Sequence, residues 1–168
     1  MTEIVQAATP EQIDQVRALM RSFVDWHRKR HVEDIALIDR YFDAAEFEEE
    51  LATLPGKYAP PKGRLLLAVH AKEPAGCVAL RDLGDGICEM KRMFVPTHLH
   101  GRGIGRALAN RLLTEAKAAG YDRIRLDTSV RQAEAIGLYK SAGFNRIEPY
   151  YPLPDDVKDW LVFMELRL

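Results

Sequence analysis

The stretch "MKRMFVPTHLHGRGIGRALANRLL", residues 90–113, decides what this chain can fold into. The apolar run Met93, Phe94, Val95 stops at Pro96, a residue that cannot donate to a sheet ladder. An apolar pattern of helical spacing then runs over 104–119 and closes at Gly120. Between strand and helix stand Gly101, Gly103 and Gly105 at alternate positions. Glycine costs about 1 kcal/mol relative to alanine inside a helix, so three of them need a reason. A glycine-rich turn feeding a helix N-terminus exposes unpaired N–H groups at the positive end of the helix dipole, where anions bind. Arg102 and Arg106 add forked donors that suit a phosphate. A tight turn with close helix–sheet packing would also use these glycines.

Upstream of this stretch, "RLLLAVH" (64–70), "AGCVALRDL" (75–83) and "GICEMKRMFV" (86–95) are strand runs separated by the turn chemistry of "AKEP" and "GDG". They form an antiparallel meander. Downstream, strand "RIRLDTS" (123–129), a helix over 132–142 closed by Gly143, "FNRIEPYY" and a last strand "WLVFMELRL" follow. Strand, helix, strand, helix requires a parallel crossover. At the start, "EIVQAA" reads as a strand. A helix follows, with Thr9 as N-cap, Pro10 in its first turn and Gln12 closing a capping box. Ile13, Val16, Leu19, Met20 and Phe23 recur at helical spacing, and the tail "HRKRH" reads as its solvated end. A second helix begins near Asp43 and carries Phe47 and Leu51 inward. The expectation is one α+β domain spanning residues 1–168.

The bulk numbers narrow the function. The 168 residues, 47% hydrophobic and 29% charged, fit one soluble domain with a real core. A formal charge of −1 argues against nonspecific nucleic-acid binding. No apolar run reaches membrane-spanning length and the N-terminus lacks a signal-peptide pattern, so a cytoplasmic location is expected. A hairpin turning at Gly84-Asp85 sets Cys77 opposite Arg92, out of register with Cys88, so no disulfide is expected. A Walker loop fails because Gly105 is followed by Arg106-Ala107, and a Rossmann fingerprint fails because Arg106 or Leu108 stands at the third glycine position.

The same residues carry a family resemblance. "MKRMFVPTHLHGRGIGRALANRLL" resembles the acyl-CoA motif of the GNAT superfamily of N-acetyltransferases, Arg/Gln-x-x-Gly-x-Gly/Ala after an apolar strand ending in valine. His100, Gly101, Arg102, Gly103, Ile104 and Gly105 fill its six positions, with His100 where Arg or Gln is usual. "QAEAIGLYKSAGF" (132–144) is similar to a second family segment through Ala135, Leu138, Tyr139, Gly143 and Phe144, with Gln132 in place of the usual Asn. The resemblance implies a mixed, mostly antiparallel sheet with a splayed parallel central pair, flanked by helices. It also implies transfer of an acetyl group from acetyl-CoA to an amine by direct attack, with no metal.

Carried over by motif, the phosphate cradle is His100 to Arg106, and the backbone of Met93, Phe94 and Val95 holds the pantetheine and polarises the thioester carbonyl. Gln132 takes the position that contacts the pantetheine arm. Tyr139 is implied as the acid that protonates the leaving thiolate; a packed core tyrosine is its commonplace alternative. Glu89, a carboxylate inside "ICEMKRMFV", is the candidate base, with a structural ion pair to Lys91 as its rival. Asp127, His70 and Tyr151 stand in reserve. The family's acceptor cleft maps onto the acidic stretch 33–50 and the aromatic loop "EPYYPLPDD". That acidity would draw a cationic amine or is simply a solvated face. The expected acceptor is a primary amine of a small molecule. A protein or peptide amine, or a non-catalytic acyl-CoA-binding module, is the alternative, and a homodimer is implied only by the family's habit.

Overall fold

The computed structural model describes residues 1–168. Its elements run β1 (Thr2–Gln6), α1 (Pro10–Arg30), α2 (Ile35–Tyr41), α3 (Ala44–Ala52), β2 (Arg64–His70), β3 (Glu73–Gly84), β4 (Ile87–Phe94), α4 (Ile104–Ala118), β5 (Arg123–Ser129), α5 (Ala133–Ser141), β6 (Asn145–Ile147), α6 (Asp155–Trp160) and β7 (Leu161–Arg167). Seven strands form one sheet in the order β1-β2-β3-β4-β5-β7-β6. Every neighbouring pair is antiparallel except β4–β5.

The unbroken apolar run of β2 is explained by burial on both faces. Leu65 and Leu67 enter one core with α1, α2, α3 and α6, while Leu66 and Ala68 enter a second core with α4 and α5. Alternation along the strand assigns neighbours to opposite faces, and both faces are covered, so neither set turns polar. Thr9 caps α1 as expected: its Oγ1 accepts from the Gln12 N–H, and the Gln12 side chain accepts from the Thr9 N–H.

Three expectations need correction. The hairpin register pairs Cys77 with Phe94 rather than Arg92: the strands pair one position further along, Leu80 with Met90, and β4 carries an extra residue between Lys91, opposite Ala79, and Phe94. Arg92 sits there with φ of +60°, a bulge made by a non-glycine residue. Both cysteines are nevertheless free and buried, and burial raises each thiol to about 12. Second, the tail of α1 is not wholly solvated. His27 and His31 are buried on the stripe that continues from Phe23, and only the intervening residues face outward. Third, the acidic stretch holds the seven-residue α2, and the aromatic loop ends in the six-residue α6. Both are too short for a periodic signal to emerge from sequence.

Candidate active site

Strands β4 and β5 pair over only Ile87↔Arg123, Cys88↔Ile124 and Glu89↔Arg125. Both then run on, to Phe94 and Ser129, without bonding each other. The bulge at Arg92 bends β4 at the place where the strands part. Arg92 is held by two bonds to Glu50, 2.9 and 3.1 Å, and its guanidinium lies 4.9 Å from the Phe42 ring centre. Burial alone would raise the Glu50 carboxyl, but the hydrogen bonds and charge of Arg92, with Lys57 beside it, hold it down at about 2.

The mouth of this fork is the glycine loop. Gly101 and Gly103 have φ of +80° and +77°, so the turn itself requires them. Gly103 is the N-cap of α4. Gly105 lies in the first turn of the helix, and a Cβ there would meet only Leu138 at 3.6 Å and Val95 at 3.9 Å, ordinary contacts. Close packing therefore does not explain the third glycine. The backbone N–H groups from Gly101 to Arg106 bond no carbonyl of the protein; the first helical bond is from Ala107 to Gly103. Open space lies over Gly101 and Gly103, and both arginines of the loop are exposed. These residues fit a pyrophosphate: several unpaired backbone donors, a helix N-terminus and two exposed guanidinium groups, of which Arg106 spends one nitrogen on Ser141 at 3.4 Å.

His100, the unusual member of the motif, has a structural task. Its Nε2 lies 2.7 Å from the carbonyl oxygen of Val95, tying the loop to the end of β4. A groove of about 310 Å³ runs from the loop along Met93, Phe94 and Val95 to Gln132, with Phe23 and Trp26 of α1 on its other wall. The sequence pattern does not announce this aromatic wall: Phe23 reads there as one more core position of an amphipathic helix, and Trp26 falls outside that apolar stripe.

Inside the fork the structure brings together Tyr139, Asp127, Lys91 and Gln132. Tyr139 is 5% exposed. Burial first, and the nearby Asp127 charge second, raise its phenol above the ordinary value. It is thus fully protonated at neutral pH. Asp127 accepts from Tyr41 and, at 2.6 Å, from Tyr151. Lys91 donates to the Tyr41 hydroxyl at 3.0 Å and stands 4.0 Å from Asp127 and 3.9 Å from Glu89.

Glu89, fully buried, is paired to a residue that the sequence did not single out. Arg81 Nε donates to it at 2.7 Å, across the β3–β4 register, and the Tyr150 hydroxyl donates to its other oxygen at 2.5 Å. The expected partner Lys91 is more distant. Tyr150 and Tyr151 therefore each hold one carboxylate through the hydroxyl, Glu89 at the base of the fork and Asp127 within it. His70, by contrast, lies at the far edge of the sheet, where its Nδ1 bonds Thr2 Oγ1 at 2.9 Å.

The acidic stretch is partly neutralised by ion pairs. Asp34 binds Arg131 at 2.8 Å and the Trp160 indole at 3.2 Å, Glu48 binds Arg21 at 2.9 Å, and Asp39 pairs with Arg28. Glu50 is taken by Arg92, while Asp43, Glu46 and Glu49 pair with no cation and line, with Glu50, a cavity that also holds Lys57 and Arg92. No group of three or more His, Cys, Asp or Glu side chains is arranged to hold a metal ion.

Comparison with known proteins gives this geometry a family. The model of the acetyltransferase (GNAT) family matches residues 20–144. An uncharacterized N-acetyltransferase of Schizosaccharomyces pombe is 38% identical over 72% of this chain and 74% of its own length. One from Dictyostelium discoideum is 29% identical over the whole chain and 99% of its own. Among solved structures, the PaiA N-acetyltransferase of Thermoplasma acidophilum, in complex with coenzyme A, matches with a TM-score of 0.73 at 15% identity, covering 100% of this chain and 99% of that one. At that identity the likeness is one of fold. The forked strand pair, the glycine loop at its mouth and the family match together establish that the chain belongs to the GNAT family and is an acetyltransferase that depends on acetyl-CoA.

Proposed function

We propose that residues 1–168 act as one N-acetyltransferase domain that moves an acetyl group from acetyl-CoA to the primary amine of a small molecule. The observation that carries this reading is the fork itself: beyond Glu89 and Arg125 the central strands bond nothing across the gap, and Tyr139 and Asp127 line it, with Glu89 at the last paired position. Acetyl-CoA supplies the acyl group as a thioester. Residues His100, Gly101, Arg102, Gly103, Ile104, Gly105 and Arg106 would hold its pyrophosphate. The exposed backbone of Met93, Phe94 and Val95, with Gln132 opposite, would hold its arm. A backbone N–H at the end of β4 would stabilise the carbonyl oxygen as charge builds there.

The chain's own groups then manage two protons. As the C–N bond forms and the C–S bond breaks, Tyr139 gives its proton to the departing sulfur and recovers one from solvent. The amine must lose a proton, since an alkylammonium with a pKa near 10 is not nucleophilic. Glu89 has both oxygens occupied and meets no substrate directly, so we assign it the amine proton through Tyr150, whose hydroxyl it already accepts. The two free buried thiols suit a reducing, cytoplasmic setting, and no helix is long and apolar enough to cross a membrane.

Tyr139→Phe tests the assignment. Followed by free-thiol release with acetyl-CoA and a broad amine panel, its turnover should fall by about 100-fold while CoA affinity changes less than about threefold. A large loss of CoA binding instead would make Tyr139 a structural residue. Tight CoA binding without thiol release for any amine would favour the non-catalytic binding module.

A further inference from the structure

Beside the fork lies a second cavity, of about 320 Å³, between the end of α2, the β3–β4 face and the loop before α6. Four cationic side chains line it, Arg40, Arg81, Lys91 and Arg92, against one carboxylate, Glu89. That carboxylate is saturated by Arg81 and Tyr150. Tyr41, Lys91 and Arg92 line both this cavity and the fork, so the two spaces share a wall. Asp127 and Tyr139 belong to the fork side alone.

The cations differ in what they have left to give. Arg92 is committed to Glu50 through two bonds. Arg81 uses only its Nε on Glu89, and both of its terminal nitrogens bond no other group of the protein. Arg40 spends one terminal nitrogen on the exposed Asp156. Lys91 makes one hydrogen bond, to Tyr41. The cavity thus presents two guanidinium groups and an ammonium with spare donors, a donor set that suits a carboxylate. A second cationic group on the acceptor would be repelled here, and an uncharged acceptor would desolvate these donors without pairing them.

Building on the acetyltransferase reading above, we propose that the acceptor is an amino-carboxylate. Its amine enters the fork on the Asp127 and Tyr139 side, and its carboxylate is bound in the adjoining cavity by Arg81 and Arg40, with Lys91 between the two. The transferred acetyl group forms an amide at the nitrogen, and the carboxylate is left unchanged. Arg40 and Arg81 are then specificity-determining residues.

Matched acceptors test this: each amino acid against its carboxamide and its decarboxylated amine, followed by thiol release with acetyl-CoA. The carboxylate member of every active set should have a kcat/KM at least about tenfold higher. Arg40→Gln, an exposed substitution, should shrink that preference at least about fivefold, mostly through KM. Titration calorimetry on the CoA-loaded protein supplies a readout apart from turnover: N-acetyl amino acids should bind at least about tenfold more tightly than their N-acetyl carboxamides. Equal or better turnover of the uncharged or decarboxylated members overturns the inference and leaves the acetyltransferase reading standing. Thiol release with no member of the panel overturns both.

Discussion

Gly105 separates two explanations of the glycine loop. Gly101 and Gly103 are demanded by the backbone, whose φ values lie where only glycine is comfortable. Gly105 is under no such demand, and a methyl group at that site would be accommodated by its protein neighbours. Gly105→Ala should leave the melting midpoint in urea unchanged or raise stability by up to ~1 kcal/mol through helix propensity. The same variant should weaken CoA binding by about tenfold or more, because the methyl stands among the free N–H groups of the first turn. Stability and affinity that are both untouched would reduce the third glycine to an accident of the turn. His100 illustrates the limit of reading a motif by residue type. Its side chain braces the Val95 carbonyl rather than reaching outward, so the backbone donors of the loop remain as the motif needs them.

At the scale of elements, α1 and β4 do the most to position the site. Helix α1 brings Phe23 and Trp26 to the groove and His27 to the fork, and its start is set by the Thr9–Gln12 capping box. Thr9→Ala removes one acceptor for an end-of-helix N–H and should cost about 1 kcal/mol in urea unfolding. With the box intact in a Thr9→Ser control, stability should be nearly retained. Strand β4 contributes in another way. Its bulge at Arg92 lets one strand serve two partners, pairing with β5 as far as Glu89 and turning away beyond it. The left-handed backbone at an arginine is maintained by tertiary bonds to Glu50 and by the Phe42 and Phe47 rings. No local signal in "EMKRMF" announces it.

The whole molecule should respond to acid through its buried histidines. His27 and His31 approach each other Nδ1 to Nδ1 at 2.9 Å, with Asp34 and Arg131 nearby and Trp160 stacked on His27. Burial lowers His27 to about 4, outweighing Asp34, and burial likewise lowers His31. Above pH 6.5 neither the folded nor the unfolded chain protonates them and they cost nothing. As pH falls from 6.5 toward 4 the unfolded chain takes up protons that the folded chain refuses, so stability drops. For His27 alone the loss is about 3 kcal/mol by pH 4. Urea unfolding between pH 7.5 and 4.5 should show this slope, and His27→Gln should flatten it. Glu50, held at about 2, contributes stability that is lost only at lower pH, below its unfolded value near 4.5.

Much of the fold was legible in the chain because its signals are local. The capping box, the turns, the apolar runs and the strand–glycine loop–helix unit each declare themselves within about a dozen residues, and they sufficed for the meander, the parallel crossover and the glycine loop that joins β4 to α4. What tertiary structure decided are the partnerships between distant residues. Tyr150 meets Glu89 across 61 positions, Lys91 meets Tyr41 across 50, and Asp34 meets Trp160 across 126. A charged residue declares its cost of burial in the sequence, but not which neighbour will repay it. That is why Glu89 stood out in the sequence while Arg81 did not. For the same reason the acidic stretch did not reveal that Asp34 and Glu50 turn inward to Arg131 and Arg92 while Asp43, Glu46 and Glu49 pair with no cation.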